Sequence, residues 1–270
     1  MSLPLLDTLA SIARIALRSR CGVAVPTVPP GSSIVVMGNG PSLADTIEHH
    51  ADFLADKALM AVNFAASTPQ FRQLRPRYYV LADPLFFSPT PPENIQRLWQ
   101  NLSDTDWPMT LFVPTGCSTP RLSASACVSI ARFNMVAAEG FGWLERWAYS
   151  SGAAMPRPRN VLIPSIMQAL RMGYDNIYLA GADHSWTKTL WVDDANHVVS
   201  VQPHFYADSD AEKQRIATDY VRYPLHHIIY SFYLAFRAYH KIEHFAKPRG
   251  QRIVNITPDS FIDAFERKRL

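Results

Sequence analysis

Two histidines stand next to carboxylates in the last third of the chain, in Asp183-His184 and in His204-Phe205-Tyr206-Ala207-Asp208. An imidazole at such a place can act as a general base near neutral pH. Asp183, His184, His204 and Asp208 could also be read as metal ligands, but no HExxH or paired-His spacing supports that, so acid–base chemistry ranks above metal binding. His49-His50 and His226-His227 fall within helical patterns and read as structural. The second chemical stretch is Gly38-Asn39-Gly40-Pro41-Ser42, which follows the apolar run Ile34-Val35-Val36-Met37. Glycines there permit positive φ and close backbone approach, and Pro41 suits the first turn of a helix. A helix start in this place can hold a phosphate; a strand–helix turn that merely needs glycine is an equal alternative. No Gly-Lys-Ser/Thr follows the turn and no Gly-x-Ser-x-Gly occurs, so neither a Walker loop nor a serine-hydrolase elbow is present.

These residues need strands and helices to bring them together. Residues 33–37 read as a buried parallel strand, and Leu43–Ala55 as the helix after it. A second strand over Ala58–Val62 ends at Asn63, about twenty residues beyond Gly40, where a βαβ unit often carries its ribose-reading side chain; an Asn that simply ends a strand is the alternative. Tyr78–Ala82 leads to Asp83-Pro84, Thr110–Val113 to a Pro-Thr-Gly turn, and Ser129–Phe133 reads as a further strand. Arg157, Arg159 and Asn160 lie in a turn before a helix over Val161–Met172, capped by Gly173. The strand Asn176–Gly181 delivers Asp183 and His184. A hairpin joins Leu190–Val192 to His197–Val201. Residues 210–246 are mostly helical, with a break at Pro224, then come a strand over Arg252–Ile256 and a terminal helix over Pro258–Arg269. Polar residues recurring at strand C-terminal ends mark the ligand edge of an open α/β sheet.

The expected fold is therefore α/β: a Rossmann-like, mostly parallel sheet with flanking helices and a small, partly helical lid around 185–246. Residues 1–32 form an amphipathic helix and a Pro-rich linker, and 33–270 a single domain. The helix places Leu5, Leu6, Leu9, Ile12, Ala13, Ala16 and Leu17 on one face. Such a face can lie on a bilayer, though more often it packs on its own domain or on a second subunit.

A chain of 270 residues with 48% hydrophobic content and a net charge of +3 suits a globular protein with an anionic small substrate or an anionic membrane surface. It carries no basic run with interleaved aromatics, which argues against nucleic acid. Three cysteines without CxxC spacing indicate neither a disulfide framework nor a zinc site and fit the cytoplasm. No apolar run approaches the ~20 residues of a membrane span.

Ile34–Leu43 resembles the opening of bacterial CMP-sialic acid transferases that cap lipo-oligosaccharide. Further landmarks follow in the same order. Asn63-Phe64 resembles the family's nucleotide-contacting Asn, and Tyr78–Phe87 its next strand, with Asp83 in place of Asn. Gly173–Asp183 (GYDNIYLAGAD) resembles its Gly-Tyr-x-x-Ile-Tyr-Leu-x-Gly-x-Asp, and Thr257–Ser260 its last turn. The wider group takes in MptE-like (6-hydroxymethylpterin diphosphokinase-like) proteins and the flagellin-modifying motility accessory factors, which Asn160-Val161-Leu162 and Gly181–His184 resemble more. His184-Ser185-Trp186 stands where the transferases have tyrosine. The resemblance implies a metal-independent glycosyltransferase that uses a CMP-sugar as donor substrate, without a cofactor, and a surface glycan or its lipid-linked precursor as acceptor. Gly38, Asn39, Gly40, Ser42, Asn63 and Asp83 would bind nucleotide, and Arg159, Asn160 and Tyr206 substrate. His204 would be the base, with Asp183 and His184 shaping the centre. An ATP- and Mg²⁺-dependent diphosphokinase, with Asp83 and Asp183 on the metal, is the alternative, as is a non-catalytic nucleotide-binding protein. A homo-oligomer and peripheral contact with the inner membrane are compatible with both ends of the chain.

Overall fold

The computed structural model of the protein describes residues 4–119, 122, 126–200, 205 and 222–270. Eight strands form one all-parallel sheet: β1 (Ser33–Met37), β2 (Ala58–Val62), β3 (Tyr78–Val80), β4 (Met109–Pro114), β5 (Val128–Phe133), β6 (Asn176–Ala180), β9 (Arg252–Asn255) and β10 (Glu266–Arg267). Their spatial order is β10-β9-β6-β1-β2-β3-β4-β5, and a separate hairpin pairs β7 (Leu190–Val192) with β8 (Val198–Ser200). The Rossmann-like, mostly parallel architecture expected from the apolar runs is therefore the one observed.

Strand residues alternate between two cores, as a period-two chain buried on both faces must. Ile34, Val36, Met60, Val62 and Phe112 face one layer, with α6 (Gly142–Ser151), α7 (Leu162–Met172) and α8 (Leu225–Ala246). Val35, Met37, Leu59, Ala61 and Leu111 face the other, with α2 (Ser42–His49), α3 (Ala51–Ala55), α4 (Pro69–Leu74) and α5 (Glu93–Ser103). Helix α5, which buries Ile95, Leu98, Trp99 and Leu102, is absent from the sequence reading.

Four expectations change. The helix after β1 is two helices, broken at His50 (φ −127°, ψ 33°), so His50 lies between helices rather than inside one. No terminal helix forms over 258–269. Ser260 Oγ instead accepts from Asn255 Nδ2 (2.9 Å) and donates to Ala182 O (2.6 Å), and Phe261 N donates to Asp183 O (2.9 Å). These long-range bonds outbid the local helix, and the chain goes on to pair β10 with β9. Within the region read as a lid, Leu225–Ala246 is one helix: its first half exposes Ile229, Tyr230 and Tyr233, and its second half packs on the core, with Tyr239, Ile242 and Ala246 fully buried.

The fourth change concerns α1 (Pro4–Arg18). It docks through its polar side: Thr8 and Ser11 are buried, Ser11 Oγ donates to Glu139 O (2.8 Å), and Thr8 Oγ1 accepts from Phe141 N (2.9 Å). Its apolar face does not pack on the domain. The stretch 21–32 after it is a strap rather than a loose linker, tied by Val28 N to Met172 O (3.0 Å) and by Arg171 to Val23 O (2.8 Å).

Candidate active site at the sheet's switch point

Strand β1 pairs with β2 on one side and β6 on the other, so the chain leaves these neighbours in opposite directions. A crevice opens at the carboxyl ends of two such strands, where open α/β sheets bind ligands. Here it is a cavity of about 390 Å³, within the range of small-molecule sites. It gathers Gly38, Asn39, Gly40, Asn63, Asp83, Arg159, Asn160, Asp183 and His184, residues singled out from five separate stretches of sequence. Ser42 does not line it. His204 and Tyr206 lie outside the described residues.

The glycine turn is shaped by its neighbour. Neither Gly38 nor Gly40 has a positive φ. Gly38 N donates to Ala180 O (2.8 Å) and Gly40 N to Gly181 O (2.9 Å), which holds the β1 and β6 loops in direct contact. A Cβ on Gly38 would overlap the Gly181 carbonyl, and one on Gly40 the Asp183 carboxylate. These glycines are required by close approach, not by backbone strain. The start of α2 is also taken: Asp183 accepts from Ser42 Oγ (2.8 Å) and Ser42 N (3.4 Å). A phosphate resting on that helix start would have to share it with a carboxylate. The pKa of Asp183 is raised, chiefly by burial and despite the bonds from Ser42.

His184 is also held within the fold. Its ring is buried, its Nε2 lies 2.6 Å from Tyr239 Oη and 3.4 Å from Asn160 Nδ2, and it stacks on Trp186 with centroids 4.2 Å apart. Burial lowers its pKa to about 3. The imidazole is therefore neutral near pH 7 and its Nε2 is engaged, which suits positioning and not proton abstraction. Asn160 is likewise committed: its Oδ1 accepts from Leu162 N (3.0 Å), Ile163 N (3.3 Å) and Tyr239 Oη (3.0 Å), capping α7. Tyr239, which falls within the helical stretch 210–246 of the sequence, is the hub of this network. Only its place in the fold reveals that.

The opposite wall is less committed. Asn63 opens a 3-10 turn with φ +49°, its carbonyl accepts from the Tyr79 hydroxyl, and its buried Oδ1 accepts no hydrogen bond from any described residue. Asp83 is exposed and accepts from Leu85 N through one oxygen (2.9 Å). Arg159 is also exposed, at the cavity mouth. Asn63 and His184 (φ +51°) are two non-glycine residues in the left-handed region that line one cavity, a concentration of backbone strain typical of binding sites. Among the described residues, no group of three or more His, Cys, Asp or Glu side chains is gathered as a metal site would require.

These features define a Rossmann-like chain with a polar cavity at the switch point. No protein-family model matches the sequence, and no curated protein matches it. Among solved structures it is similar to the MAf glycosyltransferase of Magnetospirillum magneticum AMB-1, with a TM-score of 0.54 and 12% sequence identity. The match covers 99% of this chain and 38% of that one, so the present chain spans well under half the length of its structural neighbour. At this identity the likeness speaks for the fold.

Proposed function

We propose that the cavity binds a nucleotide sugar and that the chain is a glycosyltransferase, moving an acidic sugar from a CMP-activated donor to a hydroxyl of a surface glycan or its lipid-linked precursor. The observation that carries this reading is the polar cavity at the β1/β6 switch point, lined by Asn63, whose Oδ1 accepts from no described residue, with the Arg159 guanidinium at its mouth. The fold shared with a glycosyltransferase supports it.

In this reading the Asn63 Oδ1 accepts from the nucleoside, and Arg159 meets the phosphate, since the Gly38 and Gly40 amides already bond within the protein. The bond from the anomeric carbon to the phosphate oxygen breaks, and the nucleoside monophosphate leaves with the electron pair. The acceptor oxygen bonds to that carbon and its proton passes to a base, for which His204 is the candidate. Asp183, its pKa raised by burial, would stand beside the departing phosphate. Fixed dipoles around the neutral His184–Tyr239–Asn160 network would supply the rest of the charge stabilisation. No divalent metal enters this scheme.

Thermal shift with CMP, CDP, ATP and GTP, each with and without Mg²⁺, tests the ligand class. CMP should stabilise the chain without metal. Stabilisation by ATP–Mg²⁺ alone would replace the transferase with a diphosphokinase, and no response to any nucleotide would remove both. A His204→Ala variant should keep CMP binding and lose acceptor-dependent CMP release.

A further inference from the structure

Helix α1 is inside out. An amphipathic helix on a soluble domain normally buries its apolar stripe, yet here Thr8 and Ser11 are the buried residues. Leu5, Leu6, Leu9 and Ile12 are exposed, and Leu17 is 82% exposed. The orientation is fixed by the 139–141 backbone: Ser11 Oγ donates to Glu139 O and accepts from Glu139 N, and Thr8 Oγ1 accepts from Phe141 N. The same backbone leads into α6, whose outer positions carry Phe141, Trp143 and Trp147, the two tryptophans each more than half exposed.

The charges on these segments are sorted as sharply. Glu139 is buried and paired with Arg157 and Arg237, and Glu145 pairs with Lys241 at 2.5 Å, so both carboxylates are neutralised within the fold. Asp7 is half-buried. Arg18, Arg20 and Arg146 are exposed. Leucine, tryptophan and arginine facing outward with no exposed carboxylate is the composition of a surface that inserts at a lipid interface. A second copy of this chain would bring the same cations and no complementary anions. None of the helices among the described residues is long and apolar enough to cross a membrane, so the mode is in-plane contact.

We propose that α1 and the start of α6 form a docking surface for an anionic lipid bilayer, lying in the plane of the headgroups. This surface is independent of the cavity and of the activity assigned to it.

Flotation of the full chain with vesicles tests the idea. Wild type should float with phosphatidylcholine–phosphatidylglycerol vesicles and much less with phosphatidylcholine alone. Each exposed leucine buried on binding contributes roughly tenfold or more, so Leu5→Asn/Leu9→Asn should lower partitioning about a hundredfold, and Trp147→Asn about tenfold. Arg18→Gln/Arg20→Gln/Arg146→Gln should erase the preference for anionic lipid and leave residual binding. All of these side chains are exposed, so thermal midpoints should stay at the wild-type value. Should the double leucine variant lose stability, Leu17→Asn serves in its place. Absence of flotation by wild type, or flotation that none of these variants changes, overturns the proposal. So does a dimer in light scattering that Leu5→Asn/Leu9→Asn dissociates, in a chain that ignores vesicles.

Discussion

The two walls of the cavity are built on different principles. On the β6 side, three of the polar groups singled out from sequence are tied to another part of the protein, Asp183 to Ser42, His184 to Tyr239 and Asn160 to the start of α7, while Arg159 beside Asn160 is exposed at the mouth. On the β2–β3 side, Asn63 has a buried oxygen that accepts from no described residue and Asp83 stands in solvent. The first wall sets a shape; the second has bonds left to offer. A residue's chemical type does not separate these roles, because both walls are made of Asn, Asp and their neighbours.

The contrast can be broken most severely at Gly40. A Gly40→Ala methyl would overlap the Asp183 carboxylate and come within 2.7 Å of the Gly181 carbonyl. Prising the two loops apart should cost about 3 kcal/mol, at the upper end of ordinary substitutions, read as a large fall in the thermal midpoint. Tyr239→Phe comes next. It removes the hydroxyl between His184 and Asn160 and leaves a buried imidazole nitrogen short of a partner, which should cost about 2 kcal/mol. If the β6 wall is as rigid as its bonds imply, nucleotide affinity should also fall. Asn63→Gly, which removes the side chain and keeps the left-handed backbone accessible, should do the reverse of Gly40→Ala: about tenfold weaker nucleotide binding by calorimetry, with the thermal midpoint almost unchanged. A midpoint shift as large as that of Tyr239→Phe would make Asn63 a structural residue and erase the distinction between the walls.

Two groups of the fixed wall respond to pH in opposite directions. His184 has a folded pKa of about 3, below its unfolded value near 6.5. The folded state thus binds fewer protons in that window, and stability falls as pH drops through it, by at most about 1.4 kcal/mol per pH unit. Asp183 has a raised folded pKa, so the folded state binds more protons and stability falls as pH rises from the unfolded value through the folded one. Asp183→Asn should therefore raise the thermal midpoint slightly at pH 7, an advantage that vanishes at pH 4. This is the smallest of the effects, since the carboxyl is partly exposed to solvent.

Strands were the most legible part of the chain. Runs such as Ile34–Met37 and Ile177–Ala180 are apolar without a break, and only a strand covered on both faces needs that. Their C-terminal ends located the cavity, because an open parallel sheet has one ligand edge. Segments governed by distant partners were hidden. Ser260 looks like a helix-starting serine until it is seen bonded to Ala182. The face of α1 was correctly drawn, but its direction depends on two hydroxyls meeting a backbone more than a hundred residues away. The sequence could set His184 beside His204 as an imidazole near a carboxylate, but it carries no record of how deeply the His184 ring is buried.

The order of the strands has a consequence for how the chain is made. β1 is central, yet its partner β6 is synthesised only after β2 to β5 and their helices have emerged. Until then a nascent half-sheet presents Ile34, Val35 and Val36 along a bare inner edge, where another strand can add. Parallel pairing across so long a span is slow, because the loop must close before any contact rewards it. A ribosome stalled short of Asn176 would carry this edge exposed, so the interval before β6 emerges is when the chain depends most on holding chaperones.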